Sequence, residues 1–380
     1  MSENLPGSTL LIISDTAVCK HHGSYFAFEP VLREIEAQAE LFDKVIWLGS
    51  KVKYSSTVLS KVDNEKIKVV TMPSVRHNAL NALFVLLSYP LFIFYILRYL
   101  PLATHIHTRA PSHPALIGIL LCHFDNKRPY WHKYAGNWDA GKLSFTYNLQ
   151  RSLLKRLNKQ NIRITVNGNW NETNRQIISF ENPCIRESER IQAGAIADKK
   201  DFTGALKLLF VGGLNIQKGV NELITAIESG LLPSSIVDIY IIGTGALFDS
   251  ITKRVKEIRN IRIHLPGNLN RKELDEYYAA SHILILPSIS EGFPKVIAEA
   301  AAYGCIPVVT NVSSISQYIN SGNGFILPDN KSDTIIQTLQ NLPAAIELER
   351  MSRNITEFTK LFTYEYYTSR MKNEIWITNK

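Results

Sequence analysis

The segment Leu286-Pro-Ser-Ile-Ser-Glu-Gly-Phe-Pro-Lys-Val-Ile-Ala-Glu-Ala-Ala-Ala-Tyr-Gly-Cys-Ile-Pro-Val-Val-Thr310 sets the architecture of this 380-residue chain. An apolar run ends at Leu286, a turn follows, and Pro294 stands where the first position of a helix is expected. The helix is Ala-rich and stops at Gly304, and Pro307 opens the next strand. The N–H groups around Gly292, Phe293 and Lys295 are then donors without intrahelical partners at a positive helix end, suited to an anion or a polar sugar edge. Glu291 lies in the turn before that end, and Glu299 lies more than one turn inside the helix. The two carboxylates address different parts of one elongated ligand and need not form an acid/base pair.

The same rhythm runs outward in both directions. Strand-length apolar runs at Thr9–Ile13, Val45–Leu48, Ile67–Met72, Thr104–Thr108, Pro129–Tyr134 and Ile162–Val166 alternate with helical patterns such as Pro30–Leu41 and Pro114–His123. Leu206–Val211, Ile236–Ile242, Ile261–Leu265, His282–Leu286 and Ile306–Thr310 continue it. Continuous apolar runs fit parallel strands with helices on both faces, which predicts an α/β fold of doubly wound sheets. The stretch from Asn182 to Gly204 has no clear period and reads as a seam. The expected organisation is a Rossmann-like domain over 1–182, a linker over 183–204, a second Rossmann-like domain over 205–362, and a terminal segment over 363–380. After the seam, Leu206–Val211 runs into Gly212-Gly213, a start suited to a nucleotide-binding unit, and ligands of such sheets sit outside the carboxyl ends of the strands.

Glu291 and Glu299 are separated by seven residues, and this block resembles the E-x7-E segment of GT-B retaining glycosyltransferases of the large family 4 group. Phe210-Val-Gly-Gly-Leu-Asn-Ile-Gln-Lys-Gly219 resembles that family's phosphate-binding turn. Ile241-Ile-Gly-Thr-Gly245, Leu265-Pro-Gly-Asn-Leu269, Leu274-Asp-Glu-Tyr-Tyr278 and Ser321-Gly-Asn-Gly-Phe-Ile-Leu327 follow in family order. The likeness is close over about 205–335 and extends to the first half in outline. It implies two Rossmann-like domains facing across a cleft, acceptor side first and donor side second, with the segment near Thr363–Trp376 returning to the first. Glu299 would hold ribose hydroxyls, and Glu291 with the backbone of Gly292, Phe293 and Pro294 would hold the transferred sugar. Lys295, Gly212, Gly213 and Gly243 would complete the donor site. Lys218 would pair with the diphosphate, because a leaving nucleoside diphosphate develops negative charge that a fixed cation stabilises. The family usually has an arginine at the position of Gly213, so another basic side chain is expected in the clamp. The chain contains no Asp-x-Asp, and neither a metal nor a cofactor is expected; the sugar nucleotide is a substrate.

On the acceptor side, Lys20-His-His-Gly-Ser-Tyr-Phe follows the first strand, and Gly23 resembles the family's acceptor-side loop glycine. Where many relatives carry a histidine, this chain has Ala135 or Gly136, and His132 falls earlier, inside the strand. Asp139, Lys133 and Asn137 lie at that strand's carboxyl end, and Arg109 lies at the end of another beside His105 and His107. Asp139 is counted among the catalytic candidates, with no one base singled out, and retention by front-face attack, assisted by the leaving phosphate, needs no protein nucleophile. The implied activity is retaining transfer of a hexose-type sugar from a nucleotide-sugar to a hydroxyl of a glycan or lipid-linked acceptor, in cell-surface polysaccharide or glycolipid synthesis. The alternatives are a nucleotide-sugar epimerase or other GT-B enzyme, and a non-catalytic, membrane-associated binding or scaffold protein.

Composition bounds these readings. At 45% hydrophobic and 20% charged residues the chain is neither disordered nor fibrous. Residues 1–190 hold 23 basic and 15 acidic residues, whereas 191–380 hold 19 of each, so the whole +8 excess sits in the first half. Cys19, Cys122, Cys184 and Cys305 form no CxxC pair, which argues against a disulfide framework or zinc site and suits a reducing, cytoplasmic compartment. Ser8–Ile13 reads as a first strand and not a leader. Ala79–Leu102 approaches membrane-spanning length but contains Pro90 and Arg98, so spanning, core and interfacial readings all remain. From Lys142 to Arg163 six basic and no acidic residues accompany Phe145, Leu149, Leu153, Leu154 and Leu157 at helical spacing. A basic amphipathic helix reads as an element for an anionic membrane surface, at the inner face of the cytoplasmic membrane. On this reading, removing Lys155, Arg156 and Lys159 together weakens membrane association. No nucleic-acid recognition motif is present.

Overall fold

The computed structural model describes residues 5–55, 59–74, 82–139, 141 and 144–376. The chain divides into two compact units, one made of Met1–Glu181 with Thr368–Lys380 and the other of Asn182–Tyr367.

The first unit runs β1 (Leu5–His21), β2 (Ser24–Phe28), α1 (Glu29–Ala39), β3 (Phe42–Lys51), β4 (Leu59–Lys61), β5 (Ile67–Met72), α2 (Ala82–Tyr99), β6 (His105–Ala110), α3 (His113–Leu121), β7 (Tyr130–Tyr134), α4 (Phe145–Arg156), β8 (Ile162–Val166) and β9 (Ile177–Ser179). Among the described residues these strands form one sheet in the order β4-β2-β1-β6-β7-β8-β9, with β3 paired to β1 and β5. The β1–β2 and β2–β4 pairs are antiparallel, and the others are parallel. Leu11, Ile13, Ile106 and Ile164 are fully buried in one core, together with Phe92 and Ile96 of α2 and Ile119 of α3.

The stretch after the first strand is not the loop read from the sequence. Lys20 and His21 pair with Tyr25 and Ser24 in a hairpin closed by His22 and Gly23, whose φ values are 45° and 80°. Two positive φ angles match the right-handed twist of the flanking strands, and a glycine second is the favoured solution. Gly23 is therefore a hairpin tip.

Three histidines of this unit are held neutral. His132 gives Nδ1 to a 2.7 Å contact with Thr108 Oγ1, and burial pulls its pKa to about 3. Burial likewise pulls His105 to about 4 and His107 well below its ordinary value. An unfolded histidine titrates near about 6.5, so below that pH the unfolded chain binds protons that the folded unit cannot. Stability of this unit should then fall as pH drops from about 7 to 5, and His132→Phe should make that fall shallower in urea titrations at each pH. An unchanged pH slope in the variant would remove His132 from the acid response.

The second unit runs α5 (Glu187–Ala197), β10 (Leu206–Val211), α6 (Val220–Glu228), β11 (Ile236–Ile242), α7 (Phe248–Glu257), β12 (Arg262–Gly267), α8 (Arg271–Ala280), β13 (Ile283–Leu286), α9 (Lys295–Ala302), β14 (Ile306–Thr310), β15 (Phe325–Leu327), α10 (Ser332–Gln340), α11 (Ala345–Phe358) and α12 (Tyr364–Arg370). Its six strands are all parallel, in the order β12-β11-β10-β13-β14-β15. The stretch 183–204 is no linker. It contains α5, closed at its start by Glu189 accepting from the Arg186 N–H at 2.7 Å, with Ala193 in the core. Its charges and small residues hide the period. The far boundary falls inside α12 at Tyr367/Thr368, not at 363, since Tyr364 donates its N–H to Ile185 and Tyr367 to Thr363.

The basic run also needs correction. Lys142 lies outside the described residues. Lys159 Nζ donates to the carbonyls of Cys122 and His123 and to Asn126 Oδ1, each at 2.8 Å, closing the end of α3. Lys155 pairs with Glu172 at 2.7 Å and lies over the Trp138 ring. Leu154 and Leu157 are buried, while Phe145 is exposed. Removing Lys155, Arg156 and Lys159 together would therefore strip structural contacts from this unit as well as surface charge.

Candidate active site

In the second unit the chain runs from β10 outward through β11 to β12 on one side and from β13 through β14 to β15 on the other. The crevice between β10 and β13 is the switch point where open parallel sheets bind ligands. The turn after β10 and the turn after β13 meet there. Lys218 Nζ lies 2.5 Å from Glu291 Oε1, and Ser288 Oγ donates to the same oxygen at 2.8 Å. The Glu291 side chain is 9% exposed, and that of Lys218 is 28% exposed.

Glycines bring these turns together. Gly219 has φ 66°, and a Cβ there would stand 1.9 Å from the Pro287 carbonyl oxygen. A Cβ on Gly243 would meet the Gly212 oxygen at 2.0 Å, and one on Gly245 the Leu214 oxygen at 2.4 Å. Hydrogen bonds lock the same approach, from Gly212 N–H to Ile242, Leu214 N–H to Thr244 and Ile289 N–H to Gln217. The Asn215 side chain accepts from the Lys218 N–H at 3.2 Å, fixing the turn that carries the lysine. Gly213 has more room, its nearest neighbour being Asn215 Nδ2.

Pro294 caps α9, one position before the place read from the sequence. Phe293 is an anchor more than a binding surface, being 6% exposed and packed against Tyr318 and Phe362 at 5.1 and 4.8 Å. Gly292 precedes it in the turn, and Lys295 opens the helix.

Glu299, one turn further along α9, faces α8. Its Oε1 accepts from Arg271 at 2.8 Å and its Oε2 from the Tyr278 hydroxyl at 3.1 Å. Tyr278 is fully buried, and burial followed by the Glu299 carboxylate pushes its phenol well above the ordinary range. Burial disfavours the Arg271 charge, but the Glu299 carboxylate more than offsets it, so this group stays a cation. Sequence reading gave Arg271 and Tyr278 no role. Their spacing with Asp275, at i, i+4 and i+7 of one helix, was the available signal.

The first-unit candidates are distributed differently. Arg109 and Lys133 both engage Glu34 of α1, each within 2.6 Å of Oε1, and Glu34 is 1% exposed. Glu34 was not singled out in the sequence. Asp139 is exposed in a turn where its N–H donates to Asn137 Oδ1 at 3.0 Å. His132 is enclosed in β7 and cannot serve as an exposed base. Among the described residues no group of three or more His, Cys, Asp or Glu could hold a metal ion.

Residues 194–358 match the family described as glycosyl transferases group 1. An uncharacterized glycosyltransferase of Methanocaldococcus jannaschii is 30% identical over 161 residues, which is 41% of this chain and 44% of that protein. The UDP-Gal:alpha-D-GlcNAc-diphosphoundecaprenol alpha-1,3-galactosyltransferase of Escherichia coli is 29% identical over 129 residues, 34% of this chain and 33% of the relative. The chain thus spans less than half the length of these relatives. The crystal structure of HepE from Anabaena in complex with UDP and glucose is 12% identical with a TM-score of 0.67, covering 96% of this chain and 98% of that one. This is a likeness of fold, and two Rossmann-like parallel-sheet units in one chain give the protein the GT-B fold.

Proposed function

We propose that this chain is a retaining glycosyltransferase of the family 4 type, moving a hexosyl unit from a nucleotide-sugar to a hydroxyl of a glycan or lipid-linked acceptor in surface polysaccharide or glycolipid synthesis. The observation that carries the reading is the meeting of Lys218 and Glu291 at the β10/β13 switch point, with Glu299 held one turn further along α9. The family match over 194–358 covers all three residues.

In this reading the Lys218 ammonium binds the diphosphate and stabilises the charge that grows as the sugar–phosphate bond breaks. Glu291 accepts hydroxyls of the transferred sugar. Glu299, held in one position by Arg271 and Tyr278, binds the ribose. The acceptor oxygen attacks the anomeric carbon from the face that the diphosphate leaves, and a phosphate oxygen takes its proton, so no metal or protein nucleophile is needed. With Arg109 and Lys133 engaged by Glu34, Gly23 and Asn137 stand as the acceptor-side candidates of the first unit and Asp139 as its catalytic candidate.

Thermal unfolding with UDP, GDP and ADP tests the reading. One of them should stabilise the protein, by about 2.7 kcal/mol at a hundred times its dissociation constant. Glu299→Ala should abolish that shift, while Glu291→Ala should keep it and lose turnover. Stabilisation by none of the three would overturn the assignment.

A further inference from the structure

Helix α2 carries two apolar faces, of which the fold uses one. Phe92 and Ile96 are buried in the core of the first unit. On the opposite side Leu86, Leu87, Leu91, Phe94 and Leu97 are exposed, Leu86 by 66% and Phe94 by 56%. Val85–Leu102 is long and apolar enough to cross a membrane, yet only 11% of it is buried. This rules out a core helix. Its packing also argues against spanning, since withdrawing α2 from the unit would uncover Phe92, Ile96 and the residues beneath them.

The apolar face continues past the helix. Leu102 is exposed, and Arg128 ties the next residue to the turn after α3 by donating to the Ala103 carbonyl at 2.9 Å. That turn presents Phe124, 87% exposed, followed by exposed Lys127. The chain that builds this face carries only basic charge from Lys66 to Phe124. The sequence holds no acidic residue between Glu65 and Asp125. Asp125 itself is neutralised by Arg128 at 2.7 Å. Arg98 stands exposed on α2 four residues after Phe94, and Lys68 lies over the Tyr99 ring at 5.3 Å.

We infer that this face docks on an anionic lipid bilayer, with α2 lying in the plane of the interface. Leu87, Leu91, Phe94 and Phe124 enter the acyl boundary while Arg98 and Lys127 meet the lipid phosphates. The inserting element is thus α2 and the α3 turn, not the basic α4. The inference rests on exposure and charge, independently of the donor site. Together with the proposed activity it favours the lipid-linked class of acceptor, which a docked enzyme reaches without leaving the surface.

Flotation of the full chain with phosphatidylcholine vesicles, and with vesicles in which phosphatidylglycerol replaces part of the phosphatidylcholine, tests it. The protein should float with the anionic vesicles and less with the neutral ones. L87S/F94S should lower vesicle binding about tenfold or more, since two large apolar side chains no longer enter lipid. Both side chains are exposed, so the thermal midpoint and the nucleoside-diphosphate shift should stay unchanged in that variant. R98Q/K127Q should lose the preference for anionic lipid and keep the neutral binding. Failure of the parent to float, or equal flotation of L87S/F94S, would overturn the inference. A concentration-dependent dimer that L87S/F94S dissolves would do so too, because a second copy would then cover the face.

Discussion

Glu34→Ala is expected to lower the stability of the first unit by about 3–5 kcal/mol, a larger loss than any single surface change in the protein should cause. Glu34 is 1% exposed and Lys133 3% exposed, and the carboxylate sits within 2.6 Å of both Lys133 Nζ and an Arg109 nitrogen. Removing it takes away the carboxylate that both cations share in a region of low dielectric. Glu34→Gln keeps the shape but not the charge and should fall between. All five tryptophans belong to the first unit, so their fluorescence in urea isolates its transition. A compensating change is the sharper check. Glu34→Leu combined with Lys133→Met and Arg109→Met should recover most of the loss, because a buried ionic cluster replaced as a whole by apolar groups of similar size is often neutral. A wild-type midpoint for Glu34→Ala would show that Arg109 and Lys133 are loose binding groups and not part of the fold.

On the proposed reaction, Lys218→Ala should cut turnover by about a hundred- to a thousandfold, the range found when one fixed group that stabilises developing charge is lost. The lysine does two things at its position. It supplies positive charge at the switch point, and it neutralises Glu291, whose other partner is the Ser288 hydroxyl. In the variant the pocket meets an incoming diphosphate with a carboxylate and no ammonium. Release of nucleoside diphosphate from the sugar nucleotide that stabilises the protein measures this, and kcat should fall more than KM rises, since the charge grows in the transition state. Lys218→Ala with Glu291→Gln should lose less than the two single effects combined, because the groups act as a pair. Wild-type turnover in Lys218→Ala would remove the lysine from the departure of the diphosphate.

Much of this was written locally in the chain. Runs such as Leu206–Val211 and Ile306–Thr310 are almost wholly apolar because both faces of a parallel sheet are covered, and they form strands over those same residues. The β13–α9 turn was equally legible, since proline, glycine and alanine there act within a few residues of themselves. The hairpin at His22-Gly23 was not, because its first strand is polar and mixed beyond Asp15 and gains its pairing only once β2 folds back. Glu34 and its two cations lie 75 and 99 residues apart, and only the order of the strands brings them together. For α2 the limit was different. A helix apolar on every side carries no mark of which face is covered, and that depends on where Phe92 and Ile96 land.

The second unit is spliced into the first. The chain leaves the first unit at Glu181, completes Asn182–Tyr367, and comes back through Thr368–Trp376. The return is part of the core, with Trp376 packed against Phe42, His105 and Trp131 at 5.6, 5.3 and 5.7 Å and Arg370 bound to Glu181 and the Ser179 carbonyl. On the ribosome this reverses the usual order of maturation. The amino-terminal unit emerges first, yet its sheet lacks that aromatic cover until the whole intervening unit has been translated. The inserted unit, continuous in sequence, can finish while its host still waits for Trp376 to reach its core.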